Sequence, residues 1–522
     1  MVAYKQSQIN RAVGLLIGAA LSLRLLLIGL DPFLHDWDER FHALVAKNLQ
    51  ANFLLPQLRA RPVLPYDYRL WTSNHVWLHK QPLFLWQMAL SMQLFGTNEM
   101  ALRLPSALLG SLLLWPEYRL GRLIFSAVIG YRAALLLAFA YYQLELTTGW
   151  QSVDHNDAAF LAYVTASMWA YYESRTSTRP WRWCMLAGLF AGAAVLCKWL
   201  PGLVVYAAWF IELLLDKKRR STVQEWARLS GACALTAVVA LPWQVYSHSQ
   251  FPLESAFEAR YAARHFGEAL EGQGGPWYFY LTHNMWYQYQ WLVVFVGIGL
   301  ALVFTAAGRG RALRPLLVSC GLIFGFYSLA ATKMPSYTYV AAPVVLLLAA
   351  LAWVKIGARI SPATNRWPGL TEGLLLLLIL ALDLRPLSLL KHHTLRFAAA
   401  STEQERQVKM QRSGVYRHLD AVVPPGYVVF NAPPLAEVEA MFYSHQNVYT
   451  GWLLRLNTSS CAAEACAWRL LQVSNPRRFI YRPLRSCLSL WRILLPRGLK
   501  LRAFFPLGKG GFAGQFLTHA EH

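Results

Sequence analysis

The stretch AVGLLIGAALSLRLLLIGL at residues 12–30 is followed at once by DPFLHDWDERFHALVAKNL at residues 31–49. The first part is apolar and long enough to cross a bilayer, because a membrane-spanning helix needs about 20 predominantly apolar residues. It lacks a small-residue cleavage site, so we expect an uncleaved anchor and not a removable signal peptide. The second part places acidic, basic and histidine side chains directly against that span, where ionisable groups are costly and therefore candidates for function.

The composition of the whole chain agrees with this local pattern. Of its 522 residues, 56% are hydrophobic and 15% are charged, and the mean hydropathy is +0.30. Soluble proteins carry about 25% charged residues. The composition therefore excludes a disordered chain, a collagen-like repeat and a disulfide-rich secreted scaffold. It predicts an α-helical polytopic membrane protein.

The net charge of +22 favours a membrane surface as the charged partner. Basic loops fix the topology of membrane proteins and contact anionic lipid headgroups. The chain contains no nucleic-acid-binding motif, so we expect the lipid bilayer and no nucleic acid as a partner.

Apolar runs predict eleven spans, with soft boundaries, within a fold of about 11–13 transmembrane helices. The predicted spans are 12–30, 104–121, 123–143, 158–173, 183–199, 201–215, 229–246, 290–307, 315–331, 338–356 and 369–390. A further apolar run, 82–96, would cover only about two thirds of the hydrocarbon core at ~1.5 Å per residue. We interpret it as a helix lying in or dipping into the outer interface.

The short basic loops set the orientation, because Lys and Arg concentrate on the cytoplasmic side. With the N-terminus in the cytoplasm, every short basic loop falls on that side. These loops contain Arg119, Arg122, Arg175, Arg179, Arg182, Lys217, Lys218, Arg219, Arg220, Arg228, Arg309, Arg311, Arg314, Lys355, Arg359 and Arg366. The opposite face then holds the segments 31–103, 144–157, 247–289 and 332–337 of a transmembrane domain, 1–390, and all of 391–522.

The C-terminal part, 391–522, is more polar and alternates strand-like with helix-like runs, which predicts a small α/β extracytoplasmic domain. The strand-like runs are Tyr427 to Phe430, Phe479 to Tyr481 and Leu499 to Phe505, and the helix-like runs are Leu435 to Tyr443 and Ala462 to Val473. An oxidising compartment would allow one disulfide among Cys461, Cys466 and Cys487, with the pairing open and one thiol left over. The other four cysteines lie in spans and are interpreted as packing residues.

Four separate external segments carry unusual polar residues, which suggests one composite site on one face. The first segment contains an Asp38-Glu39 pair and, later, Trp77-Leu78-His79-Lys80-Gln81-Pro82. It ends in Gly96-Thr97-Asn98-Glu99 and Arg103-Leu104-Pro105-Ser106, and the second segment contains Asp154-His155-Asn156-Asp157. The third contains Arg264, His265 and GPWYFYL at 275–281, and the fourth is Lys333-Met334-Pro335-Ser336-Tyr337.

In order and spacing, these motifs resemble glycosyltransferase family 39, the membrane-embedded GT-C group that includes protein O-mannosyltransferases and lipid A aminoarabinose transferases. The resemblance covers roughly residues 1–390. There are departures: His79 replaces the family's usual Glu before the Lys, Gln81 precedes the following Pro, and Arg40 and His42 shift the pattern after the Asp-Glu pair. These departures leave the sugar and the acceptor open.

The resemblance implies that a sugar is transferred with inversion from a polyprenyl-phosphate donor. The acceptor would be a glycolipid, a glycan or a protein, at the extracytoplasmic face of the membrane. Separately, the compactness of the chain and the lack of an endoplasmic-reticulum retention signal favour a prokaryotic inner membrane. Proton transfer from the acceptor needs a carboxylate within hydrogen-bond reach. The candidate catalytic residues are Asp38, Glu39 and Asp157. Helix N-capping is the ordinary alternative for such acidic residues.

The lipid-phosphate leaving group needs fixed positive charge, for which Lys80, Lys333 and Arg264 are the candidates. Snorkelling to headgroups is their alternative role. The candidate substrate-binding residues are Asp154, His265, Trp77, Tyr337 and His42, although an aromatic belt or a structural histidine would also explain several of them.

No cofactor is required by these motifs, but a divalent metal is open. Histidine and carboxylate ligands suit zinc or manganese. No closely spaced pair such as His-x-x-x-His occurs. The candidate ligands are His79 and His265, with His35, His42 and His155 nearby in the external segments.

Two other function classes remain open from the sequence. A transporter or lipid flippase would place its ionisable residues near the bilayer midplane, on broken helices and in repeated halves. Here they collect in external loops and no repeat is found. A scaffold or receptor would leave the ordered carboxylate and lysine residues without a role.

Overall fold

The computed structural model describes residues 6–64, 66–149, 155–305, 309–360, 400–424 and 427–450, and the single positions 374, 377 and 385. The chain divides into two compact units. The first comprises residues up to Ala60 and from Leu64 to Val408, and the second comprises Arg61–Val63 and the chain from Lys409. The predicted domain boundary at residue 390 lies outside the described residues.

The first unit is helical. Its helices are α1 (Gln6–Gly29), α2 (Asp38–Leu49), α3 (Leu83–Phe95), α4 (Glu99–Leu112), α5 (Leu114–Ile124), α6 (Ala127–Phe139), α7 (Tyr141–Thr148), α8 (His155–Ser174), α9 (Pro180–Lys198), α10 (Val204–Leu215), α11 (Lys217–Arg220), α12 (Val223–Gln250), α13 (Pro252–Gly267), α14 (His283–Tyr289), α15 (Leu292–Thr305), α16 (Arg309–Leu329) and α17 (Ala342–Ile360). Short 3₁₀ helices cover Leu200–Leu203, Phe279–Leu281 and Pro335–Ala341.

Five of the described helices are long and apolar enough to cross a membrane, or up to seven spans if each of two bent helix pairs counts as one. The five are α1, α9, α12, α16 from Arg311, and the continuous segment Pro335–Ala358. The bent pairs are α6 with α7, at 51°, and Phe279–Tyr289 with α15, at 118°. The chain is therefore a polytopic α-helical membrane protein, as the composition predicts.

Three further predicted spans form helices that do not meet the criteria of length and hydropathy for a membrane span. The reason differs from one to the next. The run 104–121 is divided between α4 and α5, so that each half is short. The run 201–215 forms a 3₁₀ turn and α10, which together are apolar but short. The run 158–173 lies in α8, in which every residue except Tyr163 and Trp169 is buried. Because other helices enclose it, α8 does not need an apolar surface. The predicted span 369–390 lies outside the described residues, apart from three single positions.

The run 82–96 forms a short apolar helix, α3, as the sequence predicts. It packs against α2 and α4.

A continuous apolar core joins α1, α5–α10, α12 and α14–α17. The segment Pro335–Ala358 is central, because 78% of its most apolar window is buried, against 33% for α12. Lipid-facing apolar side chains account for the difference: Val238 and Val245 of α12 are 68% and 67% exposed. Close helix crossings rely on glycine, since a β-carbon on Gly121 would lie 2.4 Å from Cα of Gly130. Small residues allow this approach between membrane helices.

In the second unit, β1 (Val428–Ala432) and β2 (Asn447–Thr450) form a parallel pair, with Val428 opposite Asn447. Helix α20 (Ala436–Tyr443) connects them, as parallel strands require a crossover. Helices α18 (Ala400–Arg417) and α19 (Leu419–Val422) precede the strands. The first predicted strand and helix of the C-terminal part are thus present. The other predicted runs and Cys461, Cys466 and Cys487 lie outside the described residues, so the α/β domain as a whole stays a prediction.

Candidate active site

The first part of the site is a carboxylate and an ammonium from two motifs of the same external segment. Asp38 begins α2 after Trp37, whose φ of 64° is unusual for a residue with a side chain. Nζ of Lys80 lies 4.0 Å from Oδ2 of Asp38, and the two side chains are 20% and 26% exposed. The predicted catalytic carboxylate and the predicted phosphate-binding lysine are therefore adjacent and reachable from outside.

The neighbouring carboxylate, Glu39, is in a different environment. Its side chain is fully buried, and both oxygens accept hydrogen bonds from Arg103, from Nε at 2.6 Å and from Nη2 at 2.9 Å. The backbone N–H of His35 donates to Oε2 at 2.5 Å. Burial alone would raise the pKa of Glu39, but the positive charge of Arg103, with that of His35 and the hydrogen bonds from Arg103 and His155, holds it well below its usual range.

Arg103 in turn joins α4 to the chain between α1 and α2. It donates to the backbone oxygens of Asp31 at 2.7 Å and Phe33 at 2.6 Å, and to that of Ile28 at 3.3 Å. All of its side chain is buried. The Glu39–Arg103 pair therefore fixes the loop that carries Asp38 to the end of the first span.

His155, at the start of α8, extends this buried network. Its Nε2 lies 3.0 Å from Oε1 of Glu39, and its Nδ1 lies 3.1 Å from Oγ of Ser106. Gly149 lies against both groups, since a β-carbon there would be 2.6 Å from Oε1 of Glu39 and 2.7 Å from Nε2 of His155. With a φ of 72° as well, this position requires glycine. We call Glu39, Arg103, His155 and Ser106 the buried network.

Asp157, the second carboxylate of the site, lies two residues after His155 in α8 and is 5% exposed. It forms an ion pair with Lys198, the last residue of α9. Nζ of Lys198 also lies 4.9 Å from the ring centroid of Tyr337 and 5.9 Å from that of Phe160. Motif reading did not single out Lys198.

Tyr337 connects the two parts of the site. Lys80, Lys198 and Asp157 all lie close enough to its phenol to act on its charge. Its ring packs 4.6 Å from that of Tyr327. The structure therefore brings Asp38, Lys80, Asp157 and Tyr337 of the predicted residues together, and adds Lys198.

A group of aromatic and histidine side chains borders Lys80. Nδ1 of His79 lies 3.0 Å from Oε2 of Glu258 in α13, and the His79 ring stacks on Trp71 at 4.3 Å. His265, also in α13, lies close enough to His79 and Lys80 for their charges to act on its pKa. Burial lowers its pKa, with the charges of His79, Lys80 and Arg264 adding to the decrease and that of Glu271 opposing it.

Lys333 is placed differently from the predicted phosphate contact. Its ammonium donates to the backbone oxygens of Tyr327 at 3.0 Å, of Ser328 at 2.8 Å and of Ala330. These groups end α16, where helix carbonyls lack intrahelical partners. Because an ammonium has three N–H groups, all of them are taken by this cap.

Three other predicted residues do not face the site. Trp77 and His42 are 1% and 0% exposed and pack inside the fold, near Phe41 and Phe84, so neither presents a surface to a substrate. Arg264 is about half exposed and forms a surface ion pair with Glu268 at 2.7 Å. Asp154 lies outside the described residues.

The described residues contain no group of three or more His, Cys, Asp or Glu side chains placed to hold a metal ion. Within that part of the chain, His79 and His265 therefore have no third protein ligand of the kind that a metal centre usually has.

The fold is shared with solved membrane enzymes. The structure of ArnT from Cupriavidus metallidurans bound to undecaprenyl phosphate matches with a TM-score of 0.62 at 17% identity, over 84% of this chain and 86% of that chain. The archaeal oligosaccharyltransferase AglB from Archaeoglobus fulgidus, in complex with an inhibitory peptide and a dolichol-phosphate, matches with a TM-score of 0.52 at 14% identity, over 84% of this chain and 64% of that chain. At these identities the likeness shows the fold.

Sequence comparison gives related results. The family model described as dolichyl-phosphate-mannose-protein mannosyltransferase matches residues 79–244. Undecaprenyl phosphate-alpha-4-amino-4-deoxy-L-arabinose arabinosyl transferase 1 of Pseudomonas fluorescens is 27% identical over 310 residues, which cover 57% of this chain and 54% of the relative. Transferase 2 from another strain of that species is 25% identical over 333 residues, covering 59% and 56%. The chain matches about half the length of these curated relatives.

The family model, the relatives and the solved structures support a GT-C glycosyltransferase family similar to family 39. The family resemblance indicated by the sequence motifs is therefore confirmed.

Proposed function

We propose that this chain is a membrane glycosyltransferase that moves a sugar from a polyprenyl-phosphate donor to an acceptor on the extracytoplasmic face, with inversion. The observation that carries the proposal is the accessible Asp38–Lys80 pair, which shares the neighbourhood of Tyr337 with the Asp157–Lys198 pair. The names of the relatives and of the ArnT structure support a lipid-phosphate donor, because they specify undecaprenyl phosphate.

The two lysines suit the leaving group. When the bond between the anomeric carbon and the phosphate oxygen breaks, its electron pair stays on the lipid phosphate, where positive charge stabilises it. Lys80 supplies that charge from the loop before α3, and Lys198 supplies it from the end of α9. Arg264, exposed at the end of α13, would act as a third contact only after leaving Glu268 and turning toward the phosphate. Lys333 stabilises the end of α16 and does not contact the phosphate in this proposal.

Asp38 suits the acceptor side. It would accept the proton of an acceptor hydroxyl while the acceptor oxygen attacks the anomeric carbon from the face opposite the phosphate. General-base groups of this kind contribute about 10²–10⁴-fold to rate. Its partial exposure leaves it open to an incoming acceptor.

Glu39 acts in this proposal as a positioning residue. Its oxygens are held by Arg103 and His155 inside the buried network, so it cannot reach a substrate without breaking these bonds. Its role is to fix the α2 N-terminus that presents Asp38.

Asp157, Asp154 and His265 are proposed to contact the sugar, with the Tyr337 ring beside the donor phosphate. Asp157 is held by Lys198, which orients its carboxylate. An amino sugar is one donor class that these carboxylates would favour, in agreement with the 4-amino-4-deoxy-L-arabinose that the relatives' names specify. The acceptor class, glycolipid, glycan or protein, is left to the assay.

For the topology we propose a prokaryotic inner-membrane protein with its N-terminus in the cytoplasm and its site and C-terminal part in the periplasm. Reporter fusions at Lys218 and at Gly272 test this orientation. A cytoplasmic signal at Lys218 and a periplasmic signal at Gly272 are expected, and the reverse pattern would contradict it.

The function is tested by a transfer assay in nanodiscs with radiolabelled polyprenyl-phosphate sugars and extracted envelope acceptors. We expect the wild type to transfer label from one donor class and Asp38→Asn to lose transfer by about 10²–10⁴-fold. Asp36→Asn is the matched control, because Asp36 is two residues away and pairs with Arg40. It is expected to transfer at close to the wild-type rate.

Equal transfer by Asp38→Asn and the wild type would contradict the mechanism. Vesicle uptake of a lipid-linked sugar by the folded protein, without transfer, would favour the transporter class instead.

A further inference from the structure

A second polar region lies inside the helical bundle and takes no part in the proposed reaction. It surrounds the break between α6 and α7, which are bent by 51° relative to each other. The N-terminus of α7 therefore lies within a broken span. The first N–H groups of a helix have no intrahelical acceptor and give this end a partial positive charge.

Arg24 of α1 adds a full positive charge in this region. Its side chain is completely buried, and one nitrogen, Nη1, donates to the backbone oxygen of Ala20 at 3.2 Å. Its Nε and Nη2 have no hydrogen-bond partner among the described residues. Buried donors without partners are costly, and more so when they carry charge.

Gln143, in the first turn of α7, is also fully buried, and neither polar atom of its side chain has a partner in the part of the chain that the structure describes. Arg24 and Gln143 converge at Gly110 of α4. A β-carbon on Gly110 would lie 3.0 Å from Nε2 of Gln143 and 3.3 Å from Nε of Arg24, with Oγ1 of Thr147 at 3.2 Å. The two unpartnered nitrogens are therefore close enough for one small ligand to contact both.

The charges around this point are not balanced. The ionic groups that act on the nearby Tyr339 phenol are Arg24, Arg385 and Glu145. Glu145 accepts a hydrogen bond from the Tyr287 hydroxyl at 3.0 Å, on the side of α7 where Arg385 stacks on Tyr141 at 4.6 Å. Within the described part of the chain, no carboxylate acts on Arg24, so its positive charge is not offset there.

We propose that Arg24, Gln143 and the N-terminus of α7 form a binding site for a small monovalent anion, of the chloride class, inside the bundle. Such an anion would accept from Nε and Nη2 of Arg24 and from Nε2 of Gln143. It would also neutralise the surplus charge. A water molecule would satisfy the donors but not the charge.

The site would stabilise the break on which the active site depends. Arg24 lies one turn before Ile28, whose backbone oxygen accepts from Arg103 of the buried network. Helix α7 ends at Thr148, next to Gly149, which contacts Glu39 and His155. This inference rests on the bundle alone and does not require the proposed function.

The test measures the thermal unfolding midpoint of the full-length protein in nanodiscs, in sodium chloride, bromide, sulfate and gluconate at equal ionic strength. Binding to the folded state alone should raise the midpoint saturably in chloride and bromide, by about 2 °C or more. Sulfate and gluconate should have no such effect.

Arg24→Met and Gln143→Leu should lose or weaken the halide response. Arg11→Met is the matched control, because Arg11 lies on the same helix with an exposed side chain, and it should keep the response. If the buried variants do not fold, crystals of the wild type grown in bromide decide: an anomalous peak between Arg24 and Gln143 is expected. No halide response in the wild type, a full response in Arg24→Met, or a water without anomalous signal would overturn the proposal.

Discussion

Asp38 and Glu39 are neighbours with the same charge, but they lie in opposite environments. The Asp38 side chain is 26% exposed beside Lys80, whereas that of Glu39 is 0% exposed and bound at both oxygens. Successive residues of a helix point about 100° apart, so the first turn of α2 directs one carboxylate outward and the other into the bundle. This contrast is the reason for the proposed division of roles, in which Asp38 takes part in the chemistry and Glu39 supports its position.

The same contrast holds for two lysines. Lys198 faces Asp157 and Tyr337 at the site, whereas Lys333 uses its three N–H groups to cap α16. The difference arises from where each helix ends, because the final carbonyls of a helix attract a nearby cation.

The largest expected effect is on stability, from Glu39→Gln. Removing one charge of a buried ion pair typically costs about 3–5 kcal/mol, because the partner is left unpaired. We expect the free energy of unfolding in urea to fall by that order, while Asp38→Asn stays close to the wild type. Equal stability of the two variants would contradict the division of roles.

The pH dependence of the same pair has a definite sign. The pKa of Glu39 is lowered in the folded state, so its contribution is fully present above the unfolded-state value of about 4.3 and is lost as the pH falls through the lowered pKa. Between pH 5 and 8, Glu39 should therefore leave the free energy of unfolding unchanged. Below about pH 5 the free energy of unfolding should fall as the pH is lowered, and an equally large fall in Glu39→Gln would be inconsistent with an ionised Glu39.

Lys198→Met is expected to have the next largest effect, which is on the affinity for polyprenyl phosphate. A charged hydrogen bond contributes about 1.5–3 kcal/mol, so we expect affinity for polyprenyl phosphate to fall by about 10–100-fold. Equilibrium binding of the labelled lipid in nanodiscs measures this. Unchanged affinity would remove Lys198 from the phosphate site.

Lys333→Met should act on stability alone. Losing the cap of α16 is expected to lower the free energy of unfolding by about 1.5–3 kcal/mol, with lipid-phosphate affinity unchanged. If affinity fell as it does in Lys198→Met, Lys333 would have to leave its cap during binding.

Arg264→Gln should give the smallest change. Its ion pair with Glu268 is exposed, and such pairs contribute about 0–1 kcal/mol. We expect unfolding to be almost unaffected, and affinity for the lipid phosphate to fall less than in Lys198→Met. A larger loss of affinity would make Arg264 the main phosphate contact.

Composition and apolar runs predicted the helical membrane fold, and motif order predicted the family and one composite site containing Asp38, Lys80, Asp157 and Tyr337. Lys198 was missed because its role depends on the packing of α8 on α9, which spacing does not show. One signal was available: in the predicted topology it is a basic residue at the extracytoplasmic end of a span, against the usual bias.

Motif reading also did not predict which of these residues are buried or that a lysine caps a helix. Trp77 and His42 look like exposed loop residues in the sequence, but the packing of α2 against α3 encloses them. The role of Lys333 depends on where α16 ends. Helices α4 and α5 divide the predicted span 104–121, and α8, which contains the predicted span 158–173, is enclosed inside the bundle. Divided or enclosed helices need no long apolar surface.

The most direct test separates binding from chemistry at the accessible pair. Polyprenyl-phosphate affinity and transfer rate are measured side by side for the wild type, Asp38→Asn and Lys80→Met in nanodiscs. We predict that Asp38→Asn binds the lipid phosphate like the wild type but does not transfer, and that Lys80→Met loses affinity. Transfer at the wild-type rate by Asp38→Asn, or unchanged affinity in Lys80→Met, would contradict the assignment of chemistry to Asp38 and of phosphate binding to Lys80.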